Sequence, residues 1–399
     1  MVYNVTRIWR LAALSLCLFI PVSAQDSSVA SGFEHFYNLE YDQAIADFTL
    51  ATQHNPAVAT IWNHLAQAIL YRAMLRSGAL ESQLFSSSNA FLHHPRVQMS
   101  PAEDQSFCEA LGKAIEISQS QLDKNPNDTD ALYALGTSYG LRANYNFSVH
   151  KAWAQALRDA TRARNYDHRV CELEPDNVDA RLIPGLYDYV AGSLPAGYRI
   201  LAALTGRRGD RERGIHTLET VAREGKSNRA DAEVLLAAVY RREKRPSDAV
   251  PLIQDLIHRF PRAYLLRFEL VQMYGDAGDH QSALRELSRI WDLHREGAAG
   301  FAQLPPEKID YLEGSVLLGL NDLDQALEHM KKAASNAHTL DLNSGSACWM
   351  RLGQIYDLKG LHHDAVGAYK EAVSIAPDSE IGKESKSYID KPYHRPEAN

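Results

Sequence analysis

Cysteine is scarce, at four in 399 residues, and the four share no C-x-x-C or other metal-ligand spacing. A disulfide framework or a structural zinc centre is therefore not expected. H-E-x-x-H and glycine-rich phosphate loops are missing too, which removes the usual metalloprotease and nucleotide signatures. Positive charge is not in excess. The formal net charge is -8, so binding nucleic acid through bulk positive charge is excluded. Beyond the first two dozen residues no apolar run is long enough to cross a bilayer; the nearest, from Leu186 to Gly206, is interrupted by Asp188, Pro195 and Arg199. What the chain does have is ordinary: 45% hydrophobic and 23% charged residues over a length that can bury a large core.

The first 24 residues stand apart. Arg7 and Arg10 form a basic start, Leu11–Ile20 an apolar run, Pro21 breaks it, and Val22-Ser23-Ala24 supplies the small residues that precede a cleavage site. This pattern predicts an export signal cut before Gln25, placing the mature chain in the bacterial periplasm or secreting it. Leu16 before Cys17 is too large for a lipidation signal. Removal takes two arginines and no acids, so the charge moves from -8 to -10. Cys108, Cys171 and Cys348 remain; their odd number rules out complete internal pairing, and each is expected to be a buried free thiol.

Self-similarity governs the rest. Trp349, Leu352, Gly353 and Tyr356 are followed by Ala365, Tyr369, Ala372 and Pro377. Leu236, Tyr240, Ala249, Ile253 and Pro261 repeat the register, and Leu270, Tyr274, Ala283, Leu287 and Ile290 repeat it again 34 residues on. Further units run through Gly32, Ala44, Phe48, Ala51 and Pro56, through Leu132, Leu135, Gly136 and Tyr139, and through Gly314, Ala326, Met330 and Ala333. Partial units start at Trp62 and Gly185. Small residues fall where two helices would cross closely, Leu and Tyr fill a seam at i, i+4 spacing, and proline stops the second helix. The pattern W-x2-L-G-x2-Y…A-x3-F…P resembles the tetratricopeptide family. That resemblance implies an all-α, right-handed solenoid of helical hairpins with a concave surface for a protein or peptide partner. The expected organisation is a signal at 1–24, N-terminal repeats at 25–128 with a long insertion at 75–101, irregular repeats at 129–228, a regular array at 229–380, and a capping segment with a disordered tail at 381–399. Ser100-Pro101-Ala102-Glu103 at the end of the insertion reads as a capping box with proline at the first helical position.

Few motifs suggest chemistry. Gly136-Thr137-Ser138-Tyr139-Gly140 fits a nucleophile elbow, but that elbow needs a strand-to-helix turn, and Gly136 and Tyr139 already occupy repeat positions on a helix. His93-His94 and His362-His363 are adjacent pairs, whose rings point about 100° apart on a helix and cannot share one metal. The sequence therefore predicts no catalytic residue, no cofactor and no metal.

The region from Gly185 to Gly214 is more distinctive. Ser193-Leu194-Pro195, then Gly206-Arg207-Arg208-Gly209-Asp210-Arg211, leading into a repeat helix, resembles the eukaryotic inclusion-body-clearance family of repeat proteins over roughly residues 130–225. That family is tied to mitochondrial outer membranes and lipid droplets; the export signal here keeps such a location from being carried over. Taken as residues, Asp210 suits a helix cap and Gly214 a close helix crossing. Residues 199–246 hold twelve Lys/Arg against seven Asp/Glu. Arg207, Arg208, Arg211, Arg241 and Arg242 are the expected partner-binding residues, lying in equivalent turns of successive repeats. An anionic membrane surface touching 186–213 is the alternative reading of the same residues.

Overall fold

The structure is a computed structural model and describes residues 24–80, 96–193 and 209–395. Among these residues there is no strand; the chain forms seventeen α-helices and two short 3-10 turns. The helices are α1 Ala24–Tyr37, α2 Tyr41–His54, α3 Ala59–Arg76, α4 Pro101–Lys124, α5 Thr129–Ser148, α6 Trp153–Leu173, α7 Leu182–Gly192, α8 Arg211–Glu224, α9 Arg229–Arg242, α10 Pro246–Arg259, α11 Tyr264–Asp276, α12 His280–Arg295, α13 Pro306–Gly319, α14 Leu323–Ser335, α15 Leu342–Leu358, α16 His362–Ile375 and α17 Glu380–Asp390. Consecutive helices pack as eight hairpins, each stacked on the next, and α17 packs on the last of them. The expected all-α solenoid is what the chain forms. The export signal, His93-His94, most of the 75–101 insertion, and Arg207 and Arg208 lie outside the described residues.

The second helix of every hairpin buries one narrow stripe with the same i, i+4, i+7 spacing. The triplets are Ala44, Phe48, Ala51; Phe107, Leu111, Ala114; Ala163, Asp167, Val170; Gly214, Leu218, Val221; Ala249, Ile253, Leu256; Ala283, Leu287, Ile290; Ala326, Met330, Ala333; and Ala365, Tyr369, Ala372. Three residues at this spacing cover one face of a 3.6-residue helix and leave the opposite face to water. Where the first helix carries glycine, the central ring lies against it: a Cβ on Gly32 would come within 2.6 Å of Phe48, and one on Gly353 within 2.5 Å of Tyr369.

The first helices behave differently. In α13 the run Lys308–Leu312, then Gly314 and Val316–Leu318, is buried. In α15 the same holds for Asn343–Cys348 and Leu352–Ile355. Helices buried all round have neighbours on every side, and here part of the cover comes from the chain itself. Leu39, Leu75 and Leu80 of the N-terminal hairpins pack against the core cluster containing Leu265, Phe301, Tyr311 and Cys348. Gly78, at φ 69°, leaves no room for a side chain beside Asp341. At the other end Tyr393 N–H donates to Asp357 Oδ2 at 2.7 Å, and Arg395 donates to the Leu318 carbonyl. The N-terminal hairpins thus touch the C-terminal repeats directly, and the segment expected as a loose tail is bonded down as far as Arg395.

The cysteines also depart partly from expectation. Cys348 is buried and Cys171 half-buried, but Cys108 is exposed, because it lies outside the Phe107, Leu111, Ala114 stripe of α4.

Candidate functional site

The arginine-rich region starts from ordinary helix chemistry. Asp210 caps α8, its carboxylate accepting from Arg213 N–H at 3.0 Å, which satisfies a donor that the first helical turn leaves open. Gly214 meets the backbone of α7 at Tyr189 and Gly185, where any Cβ would clash. That contact brings the starts of α8 and α9's far end side by side. Between them lies a surface cleft of about 560 Å³ lined by Ser193, Gly209, Asp210, Arg211, Arg242 and Glu243, among others.

The structure separates the expected partner residues. Arg211 and Arg242 share the rim of this cleft. Arg211 Nε donates to Glu243 Oε1 at 2.9 Å, and Tyr189 Oη donates to the same oxygen at 2.9 Å. Arg242 places its guanidinium 5.8 Å from the Tyr189 ring centroid, within cation–π range. Arg241 points away, with its side chain 9% exposed. It donates to Asp276 at 2.7 Å and to Gln272 at 2.7 Å, both on α11, so it ties two repeats together. Much of the basic surplus is met locally: Arg213 donates to Asp188 at 2.8 Å and Arg245 to Asp248 at 2.6 Å.

Ser138, the residue at the centre of the G-x-S-x-G match, is fully buried in the middle of α5. Its hydroxyl lies 2.7 Å from Asn63 Oδ1 and 2.8 Å from the Ala134 carbonyl; it fastens α3 to α5 and is not presented at an elbow. His362 Nδ1 sits 2.7 Å from Asp357, which also accepts from Tyr369 Oη at 2.8 Å. Among the described residues no group of three His, Cys, Asp or Glu side chains is arranged to hold a metal ion.

Sequence reasoning missed a second cluster altogether. Arg262, in the turn between α10 and α11, faces the end of α1. Its Nε and Nη2 reach the two carboxylate oxygens of Glu40 at 2.8 and 3.0 Å. Nη1 and Nη2 each lie 3.2 Å from Glu34 Oε1, and its backbone N–H donates to Asn38 Oδ1 at 2.9 Å. Beside it Tyr37 stacks on Phe260, centroids 4.7 Å apart and planes at 27°, and burial, with the Asp231 carboxylate at the start of α9, raises the Tyr37 hydroxyl well above the usual tyrosine range. Burial pushes the Asp231 carboxyl up to about 6, against the opposing pull of that hydroxyl. The visible signal was only the spacing Glu34-x-x-Tyr37-x-x-Glu40; nothing in it points to a residue more than 220 positions away.

With this geometry in place, the comparison with known proteins agrees with the helix pairs. Residues 234–295 and 311–380 match the model of a tetratricopeptide repeat family. Similar solved structures include the yeast Tom70, at 13% identity over 92% of this chain and 88% of that one, TM-score 0.41. A tetratricopeptide repeat protein from Parabacteroides merdae shares 14% identity over 78% and 93%, TM-score 0.31. YrrB, described as a TPR protein with an unusual peptide-binding site, shares 14% over 68% and 99%, TM-score 0.30. No curated protein sequence matches the chain. By the register of the C-terminal hairpins and the family match over them, residues 234–295 and 311–380 are tetratricopeptide repeats.

Proposed function

We propose that the chain is an exported scaffold, not an enzyme, that holds a protein or peptide partner on its repeat surface. The observation that carries this reading is the cleft at the α7–α9 edge, where Arg211 and Arg242 share a rim between successive repeats. A carboxylate-bearing partner suits this rim by exchanging with Glu243 for the Arg211 fork, since the planar guanidinium matches two oxygens at once. Arg207 and Arg208, three and two residues before Asp210 in the sequence, complete the basic set that the proposal names. Export rests on Arg7, Arg10 and the Leu11–Ile20 run. The test is crosslinking in the intact cell followed by capture of the tagged chain from the exported fraction and mass spectrometry. One set of partners enriched with wild type and depleted with Arg211→Glu/Arg242→Glu is the expected result; equal recovery by both chains would remove the cleft from the proposal.

A further inference from the structure

The contact around Arg262 has the composition of a recognition site. One guanidinium engages two carboxylates, one of them through a two-pronged fork; charge-assisted bonds of this kind are stronger than neutral ones and geometrically selective. An aromatic ring stacks beside it, which is how rigid aromatic anchors are held at interfaces. The occupant is short and contiguous: Glu34, Tyr37, Asn38 and Glu40 supply all of these contacts. The receiving residues come from two neighbouring turns, Asp231 after one and Phe260 and Arg262 in the next. Leu39 of the same segment packs against the core cluster containing Leu265, while Glu34, at the outer end of the contact, stays 64% exposed as it is engaged. An ion pair that water reaches so easily exchanges readily.

We infer that Asp231, Phe260 and Arg262 form a docking face for an acidic segment of the form Glu-x-x-Tyr-x-x-Glu, and that the chain's own Glu34–Glu40 occupies it here. The inference rests on the scaffold reading and names a partner chemistry for it: an acidic helix end with tyrosine between two glutamates, entering by displacing the resident copy. A tethered occupant acts at an effective concentration near the millimolar range. An untethered peptide at micromolar concentration therefore competes poorly until the resident segment is weakened.

The experiment uses the full mature chain and a fluorescein-labelled peptide spanning residues 31–54. The variant Glu34→Lys/Glu40→Lys should bind the peptide at least tenfold more tightly than wild type, and adding Arg262→Glu should abolish that gain. In hydrogen exchange, Arg262→Gln should speed amide exchange in α1 while α13 to α16 keep their protection. Peptide binding no better than wild type, or binding indifferent to Arg262→Glu, overturns the inference. So does exchange that rises over the whole chain in Arg262→Gln, since the contact would then be part of the folded core. A chain that binds the peptide through Arg262 yet captures no cellular partner keeps the docking face and defeats the scaffold reading.

Discussion

The carboxyl of Asp167 fills the space that a Cβ on Gly136 would need, the place held by the Phe48 ring over Gly32 and the Tyr369 ring over Gly353. It is the single carboxylate in the eight buried triplets of the second helices. Asp167 is 1% exposed, and its Oδ1 has no hydrogen-bond partner. Burial alone pushes the carboxyl well above the usual aspartate range, because desolvation penalises the ionised form. The folded chain then holds a proton that the unfolded chain releases. Its contribution is intact below the ordinary aspartate value and is lost as pH rises through the folded value. Asp167→Leu should therefore melt higher than wild type at pH 7.5, by about 1–3 kcal/mol, with the advantage shrinking toward pH 4. Melting curves across that range decide it; a variant less stable at every pH would mean the carboxyl has a partner.

Ala365 is fully buried with Met350, Tyr369 and Ala372 where α15 and α16 cross. Ala365→Leu forces three extra carbons into that contact, which typically costs about 1–3 kcal/mol. Chemical denaturation should show a lower midpoint, and an unchanged midpoint would contradict the close crossing.

The repeats were readable because their information is local. Ala365, Tyr369 and Ala372 declare a helix face within eight residues, and Tyr240 and Tyr274 repeat the register without reference to anything distant. Asp210 and Ser100 declare caps in the same way, within a single turn. The contacts that close the chain on itself have no such address. Arg262 and Glu40 are common surface residues, and only the stacking of the intervening hairpins brings them together. Asp167 is hidden for the opposite reason: its type suits a solvent-facing position, yet its place in the triplet buries it. Nor does the sequence show that Leu39, Leu75 and Leu80 return to pack on the core cluster that holds Tyr311 and Leu318.

Ser100 and Glu103 close the start of α4. Glu103 N–H donates to Ser100 Oγ at 3.2 Å, and Ser100 N–H donates to Glu103 Oε2 at 2.9 Å. Arg76 adds two bonds of 2.9 Å to the same carboxylate, and these hold Glu103 down to about 2. Its contribution is present above the ordinary glutamate value and disappears as pH falls from there toward 2. Ser100→Ala should cost about 1 kcal/mol. Glu103→Gln should be destabilising at pH 7 and nearly neutral at pH 2.5, as followed by urea unfolding at the two values.

Arg241 and Arg242 are adjacent, equally basic, and expected from sequence to serve one surface, yet the structure gives them opposite situations. Arg241 is 9% exposed and bonded to Asp276 and Gln272. Reversing its charge would set a half-buried acid against Glu269, 13% exposed, and Asp276, and would break both bonds that tie α9 to α11. Arg242 lines the cleft beside Arg211, where charge is screened within about 10 Å at 0.1 M salt. Arg241→Glu should thus lower the melting temperature and reduce partner capture only in proportion to unfolding. Arg242→Glu should leave melting nearly unchanged and reduce capture directly, and added salt should reduce capture by wild type in the same way. Thermal melts and crosslinked capture on both single variants separate a strut from a contact. If Arg242→Glu captures as much as wild type, the basic edge is a solvated face.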